Sequence, residues 1–479
     1  MARSLKSNFA YNLIHKISEL LFPMITFPYA SRILLADGIG HVNFFNSIIQ
    51  YIVMFASLGI PMYAIREIAR IRGNEKERNK TTIEILLLFL FLAMLGYIAV
   101  GILSCTVAQV ASDIPLFLIL SVTIFFTAIG CDWFYQGIED FKYVTLRGLL
   151  MRTLGVILLF VFVKDRSDIY WYALYLVFGV LGGNIFYFIR LRKYHLLADL
   201  KFQELRPFRH LKPALQVFAL NLIISIYIQL NTVMLGLLST ETAVGLFTAS
   251  SKLSHVMLGI GGALGNAMLP HMSNLVGEED NKRFMQLSQK SMQFVVMVSL
   301  PITVGLIVLA SSLIRMFCGD TYYEATLCLQ LLAPIVLAIG MSNVTGYQIL
   351  YPLGKINIVM LTTGIGAVAN LLLNFILIPI FAQDGAAIAT TVAETAVTVS
   401  MLYFGRRYFN FQFMSRKYMV YIVSTIIMGI AIYLCNGIFE NPFTNTALVF
   451  SVGGLLYFIC LIVFKDSLIK EILNKILHK

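Results

Sequence analysis

Apolar runs of about twenty residues recur along the chain, and polar residues collect in the stretches between them. The runs fall near 9–29, 41–62, 83–106, 113–136, 147–163, 169–190, 212–236, 241–266, 291–313, 324–350, 356–380, 385–405, 417–438 and 444–464. At about 1.5 Å per residue, twenty helical residues cross a hydrocarbon layer of about 30 Å. The weak alternation of a membrane barrel is absent, so the pattern predicts transmembrane helices, fourteen to within one or two.

Composition agrees. The chain is 58% hydrophobic and 13% charged, with a mean hydropathy of +0.81, whereas soluble domains are about one quarter charged. The net charge of +11 would suggest nucleic acid in a soluble protein. Here its distribution gives another reason. With the N-terminus inside, the N-terminal stretch, the even-numbered connections and the tail hold 29 of the 36 Lys and Arg. The odd-numbered connections hold four, Arg32, Lys164, Arg166 and Arg315, and Lys16, Arg152 and Lys252 fall inside runs. That asymmetry predicts both termini on the cytoplasmic side and makes nucleic acid an unneeded partner. The first run is broken by His15, Lys16, Glu19, Pro23 and Pro28 and lacks a small-residue cleavage site, so it reads as a first helix and not a removed leader. The six cysteines show no metal spacing; buried, reduced packing is expected, with a Cys318–Cys328 bond near the outer face as the alternative.

The longest polar connections lie near 66–82, 191–211 and 267–290, leaving no room for a soluble catalytic domain. The chain also reads as repeated. "ADGIGHVNFFNSI" (36–48) has a counterpart in "STETAVGLFTASSKL" (239–253), and "FYQG" (134–137) in "GYQI" (346–349). The offsets predict two six-helix halves, 1–205 and 206–410, followed by two extra helices and a tail over 411–479. Six is even, so the halves are parallel repeats related by a pseudo-two-fold along the membrane normal. Such duplication suits a transporter better than a simple pore.

The strings "FPYASRILLADGIGHVNFFNSIIQYIVMFASLGIPMYAIREIARIR" (27–72), "DWFYQGIEDFKYVTLRGLL" (132–150), "VGLFTASSKLSHVML" (244–258) and "DGAAIATTVAE" (384–394) together resemble the polysaccharide (O-antigen type) flippases of the multidrug/oligosaccharidyl-lipid/polysaccharide exporter superfamily. The resemblance spans essentially the whole chain. It implies fourteen helices in two bundles and movement of a polyprenyl-diphosphate-linked oligosaccharide from the cytoplasmic to the external leaflet of a bacterial cytoplasmic membrane. Membrane lipids and other polysaccharide assembly proteins are the implied partners. It also implies a cavity bordered by the first, second, seventh and eighth helices.

Charges inside the runs are the candidate site. A lone charge near the bilayer centre costs about 2.5–3.5 kcal/mol on insertion scales, so those retained tend to face a cavity or a partner. Glu19 lies near the middle of the first run, with His15 and Lys16 able to share its face. Lys252 lies in the eighth amid Ser250, Ser251, Ser254 and His255; Glu394 lies in the twelfth; Asn370 and Asn374 are a turn apart in the eleventh. For the implied cargo, Lys252 is expected to attract the diphosphate, with His255 and Lys16 contributing. Mutual neutralisation of Lys252 and Glu19 is the structural alternative. Arg32 and Arg66 read as snorkelling anchors or substrate contacts, and Arg152 as part of an inner vestibule. Glu19, Glu394 and His255 are candidates for a coupling ion; transport in vesicles that ignores imposed proton and sodium gradients removes that idea.

"DWFYQGIEDFKY" (132–143) packs four charges and five aromatic rings into twelve residues. Trp133, Phe134, Tyr135, Phe141 and Tyr143 are expected in the headgroup belt, with Asp132 the residue to test for substrate contact. A multidrug exporter of the same superfamily is the nearest competing function. A membrane-embedded glycosyltransferase or polymerase is another, though no acidic metal motif stands out. "PLGKI" (352–356) is no P-loop. No cofactor or metal is called for.

Overall fold

A computed structural model of the chain describes residues 5–179, 181–195, 202–278 and 280–471. All regular structure among the described residues is helical. Among the described residues, ten helices are long and apolar enough to cross a membrane. The stretch Leu5–Ser57 bends at Leu35, whose φ of 57° and ψ of −175° break the helix. The stretch Ile356–Gly405 bends likewise at Ala382, φ 47°. Each is therefore long enough for two crossings. Leu211–Leu238 and Glu241–Gly277, of 28 and 37 residues, also exceed the length needed to span. The protein is thus a multi-pass membrane protein whose elements are consistent with fourteen crossings.

Two of the expected polar loops are largely helix. The stretch 66–82 continues the helix Ile60–Ile71 and restarts at Glu75, where the Asn74 side chain accepts the Glu77 N–H at 3.2 Å. The stretch 267–290 is the end of Glu241–Gly277 and the start of Asn281–Cys318, capped by Asp280 accepting the Arg283 N–H at 3.0 Å. Polar residues there solvate helix ends that outrun the membrane, and side-chain caps satisfy the free N–H groups.

Contacts divide the chain into two compact units, Met1–Leu237 and Leu238–Lys479. The helix Leu211–Leu238 falls with the first. Gly59, with φ +71°, marks that packing: a Cβ there would lie 2.8 Å from the Phe218 backbone nitrogen, so only glycine admits so close an approach.

In the second unit the helices Arg416–Cys435 and Pro442–Val463 pack on Asn281–Cys318, and the Tyr457 hydroxyl donates to the Met297 carbonyl at 2.7 Å. Between them runs an apolar cavity of about 390 Å³, lined among others by Met257, Pro301, Gly305, Met428, Phe450 and Gly454. All six cysteines are free, and Cys318 and Cys328 are buried.

Candidate functional site

The structure brings three of the sequence-predicted site residues together in the first unit. Glu19 accepts from the Lys16 ammonium at 3.1 Å, faces His15 Nε2 at 3.3 Å, and meets Arg152 Nη2 at 3.3 Å. Arg152 also donates to the Ser18 hydroxyl, and at 3.4 Å to the His15 carbonyl. The spacing 15, 16, 19 places these groups on one turn of the first segment, and Arg152 reaches across from the fifth. Gly148 lets His15 lie flat against that helix, since a Cβ there would be 3.2 Å from the imidazole. Two permanent cations thus face one carboxylate, leaving the cluster cationic. Lys16 is 69% exposed while its ammonium is paired with Glu19.

Lys252 and His255 lie in the second unit on Glu241–Gly277. The polar patch around them divides by helix phase. Ser250 and Ser254 are fully buried; Ser250 donates to the Ala325 carbonyl at 2.9 Å, and Ser254 to the Ser250 carbonyl at 3.0 Å. The Ser250 hydroxyl ties this helix to Ala325–Leu332, while that of Ser254 bonds back within its own helix. On the other flank, Lys252 is half-buried and His255 exposed, with His255 Nδ1 2.7 Å from the Ser251 carbonyl. Cys318, at the end of Asn281–Cys318, is one ionisable neighbour of Lys252. Met257, five residues after Lys252, already lines the apolar cavity.

The other candidates are dispersed. Arg32 and Arg66 are exposed. Glu394 is half-buried, its carbonyl accepting the Thr398 hydroxyl at 2.9 Å. Asn370 and Asn374 are fully buried and bond to each other at 3.0 Å, as packing groups inside the second unit.

Asp132 accepts from Gln136 Nε2 at 3.1 Å, with Arg147 as its cationic neighbour. The aromatic string around it is corrected: Trp133, Phe134 and Tyr135 are fully buried, not a headgroup belt. Tyr135 donates to the Tyr187 carbonyl at 2.9 Å, Arg190 covers Tyr143 at 3.7 Å, and Arg147 covers Tyr187 at 3.9 Å. Each such cation–π contact contributes about 0.5–2 kcal/mol, more as water is excluded. The string is the packed junction of the fourth, fifth and sixth segments.

One buried polar cluster was missed. Glu84, fully buried near the start of Glu75–Thr106, holds Arg209 and His210 at 2.6 and 3.0 Å. Its sequence signal is a lone acid one residue inside the third apolar run.

Among known proteins, the chain matches the polysaccharide biosynthesis protein family over residues 5–276 and the MatE family over residues 217–376. It is 26% identical over 392 residues to a provisionally assigned O-antigen transporter of Shigella dysenteriae, covering 81% of this chain and 97% of that one. Its structure resembles lipid II flippase MurJ in an inward closed conformation, with a TM-score of 0.75 at 16% identity over 96% of this chain and 100% of that one. An inward-facing multidrug resistance MATE family transporter gives 0.67 at 15% identity over 81% and 93%. The structural likenesses are of fold.

Proposed function

The chain belongs to the polysaccharide biosynthesis protein family, and from that premise we propose that it flips a polyprenyl-diphosphate-linked oligosaccharide from the cytoplasmic to the external leaflet. The observation that carries this reading is a single helix with two chemistries. Glu241–Gly277 bears Lys252 and His255 on one flank, and Met257, about 7.5 Å farther along and about 140° around it, walls the apolar cavity. A ligand that satisfies both is an amphiphile with an anionic head and a long apolar tail. A diphosphate carries about two negative charges, and a cation in a low-dielectric setting offsets part of the cost of dehydrating it. The Lys16–Glu19–Arg152 cluster adds a second cationic surface from the first unit.

In this reading Lys252 attracts the diphosphate, and His255, Ser251 and Lys16 offer hydrogen bonds to phosphate and sugar. Arg32, Arg66 and Asp132 are secondary contacts along the route. Movement is by alternating access of two parallel repeats, expected from the sequence at 1–205 and 206–410 while the compact units divide at Leu237/Leu238, with the extra helices of 411–479 serving the tail. In this reading the basic connections lie on the cytoplasmic side, with both termini there, and the chain sits in the bacterial cytoplasmic membrane. Glu19, Glu394 and His255 are the titratable groups for a coupling ion. The chain acts as a transporter and not an enzyme, and other polysaccharide assembly proteins are its proposed partners.

Lys252→Ala should abolish surface glycan in a flippase-deficient strain while inserting normally, and Lys252→Arg should keep part of the activity. Undiminished export by the alanine variant would remove Lys252 from the site. Lost drug resistance with unaltered lipid-linked glycan on deletion would favour a multidrug exporter instead.

A further inference from the structure

Within the first unit, the basic connection that leads to the seventh segment is tied to the second and third segments by a buried cluster. Both oxygens of Glu84 are used. Oε1 accepts the backbone N–H of Arg206 at 2.8 Å, and Oε2 meets Arg209 Nη2 at 2.6 Å and His210 Nε2 at 3.0 Å. Arg209 also donates to the Thr81 hydroxyl at 3.2 Å, and the Tyr63 hydroxyl meets His210 Nδ1 at 2.7 Å. Glu84 is fully buried, and Thr81, His210 and Tyr63 are at most 5% exposed.

His210 is engaged at both ring nitrogens, Nδ1 with the Tyr63 hydroxyl and Nε2 with Glu84 Oε2, and Arg209 Nε also lies 3.2 Å from Nε2. Burial holds the His210 pKa below its ordinary value.

We infer that the Glu84–Arg209–His210 cluster is a permanent anchor that makes residues 206–210 part of the first unit, so that the articulation during transport lies beyond His210 and not in the basic connection before it. The inference rests on the transport reading for its motion and on the geometry for its anchor. A contact made to open in every cycle is better built from groups that water can reach. Arg72 and Glu139, 2.6 Å apart with side chains 53% and 54% exposed, are such a pair. In the Glu84 cluster the Arg209 side chain is 46% exposed but the carboxylate is fully buried, so opening it would strip that carboxylate of every partner. Further packing continues the attachment: Phe208 meets Phe91 edge-on at 5.3 Å, and Gly59 admits the backbone at Ala214 and Phe218.

The test is a pair of spin-label distances in the full-length protein, in a cysteine-free background and in vesicles. Labels at Lys76→Cys and Glu204→Cys, both exposed, report on the anchor. Labels at Gly73→Cys and Gly277→Cys, one in each unit and both in open space, report on transport motion. With polyprenyl diphosphate added as the probe, the anchor pair should keep one narrow distance while the cross-unit pair shifts. A second anchor distance that grows with the probe would overturn the inference. A cross-unit pair that ignores the probe would count against the transport reading alone, because the anchor has its own readout. Glu84→Gln should broaden the anchor distance without any probe, and an unchanged distribution in that variant would overturn the anchor.

Discussion

At the scale of single residues, the same side chains serve opposite roles, and Trp133 shows why the sequence misleads there. Aromatic rings mixed with charges suit a headgroup belt, yet they equally suit a junction where arginines lie on buried tyrosines. Helix phase and partners decide between them. Tyr187 and Arg190 are 54 and 57 positions from Trp133 and Arg147 is 14, so spacing within the string does not reveal the junction. The charge cluster of the first segment was more legible, because His15, Lys16 and Glu19 are local neighbours. Arg152 needed the fold. Trp133 is fully buried, so Trp133→Ala should destabilise the protein by about 3–5 kcal/mol through lost packing. Trp133→Phe should cost less. Thermal unfolding of the two detergent-solubilised variants checks this, and an unshifted midpoint for alanine would return the ring to the lipid surface.

Helices were legible as elements because a crossing must satisfy its own backbone bonds, which forces long apolar runs. Their joints were less so. Leu35 and Ala382 turn the chain with one residue each at positive φ, a conformation that costs about 1–3 kcal/mol and is held by surrounding packing. Neither residue type advertises it. Close helix approach is a second element-scale feature. A Cβ on Gly155 would lie 2.7 Å from the Gly179 Cα, so the fifth and sixth segments meet backbone to backbone. Gly155→Ala should therefore push the segments apart and lower the yield of folded protein. Gly101→Ala, where nothing lies within 4 Å, should be neutral or slightly stabilising, since alanine is the better helix former. Size-exclusion profiles of the two variants separate these outcomes; equal profiles would mean the contact yields easily.

For the whole molecule, the apolar pattern foretold a multi-pass helical transporter fold, because length and polarity are written in every segment. The apolar cavity was not foretold. Its lining comes from five helical stretches, and any one of Met257, Gly305, Met428 or Phe450 reads as an ordinary lipid-facing residue in its own segment. Its role follows from the proposed cargo, whose tail must stay in an apolar setting while its head approaches Lys252. Gly305 and Gly454 both line the cavity, and a Cβ on either meets nothing within 4 Å. Gly305→Phe and Gly454→Phe therefore fill space without a backbone clash, and they replace a poor helix former. Folded yield should hold while export falls by about tenfold or more, equivalent to about 1.4 kcal/mol. A substrate analogue with a short tail should be spared, because it leaves the cavity empty. Full export of the long-tailed substrate by both variants would dissociate the cavity from the tail; equal loss for both substrates would show that the rings disturb the protein and not the path of the lipid.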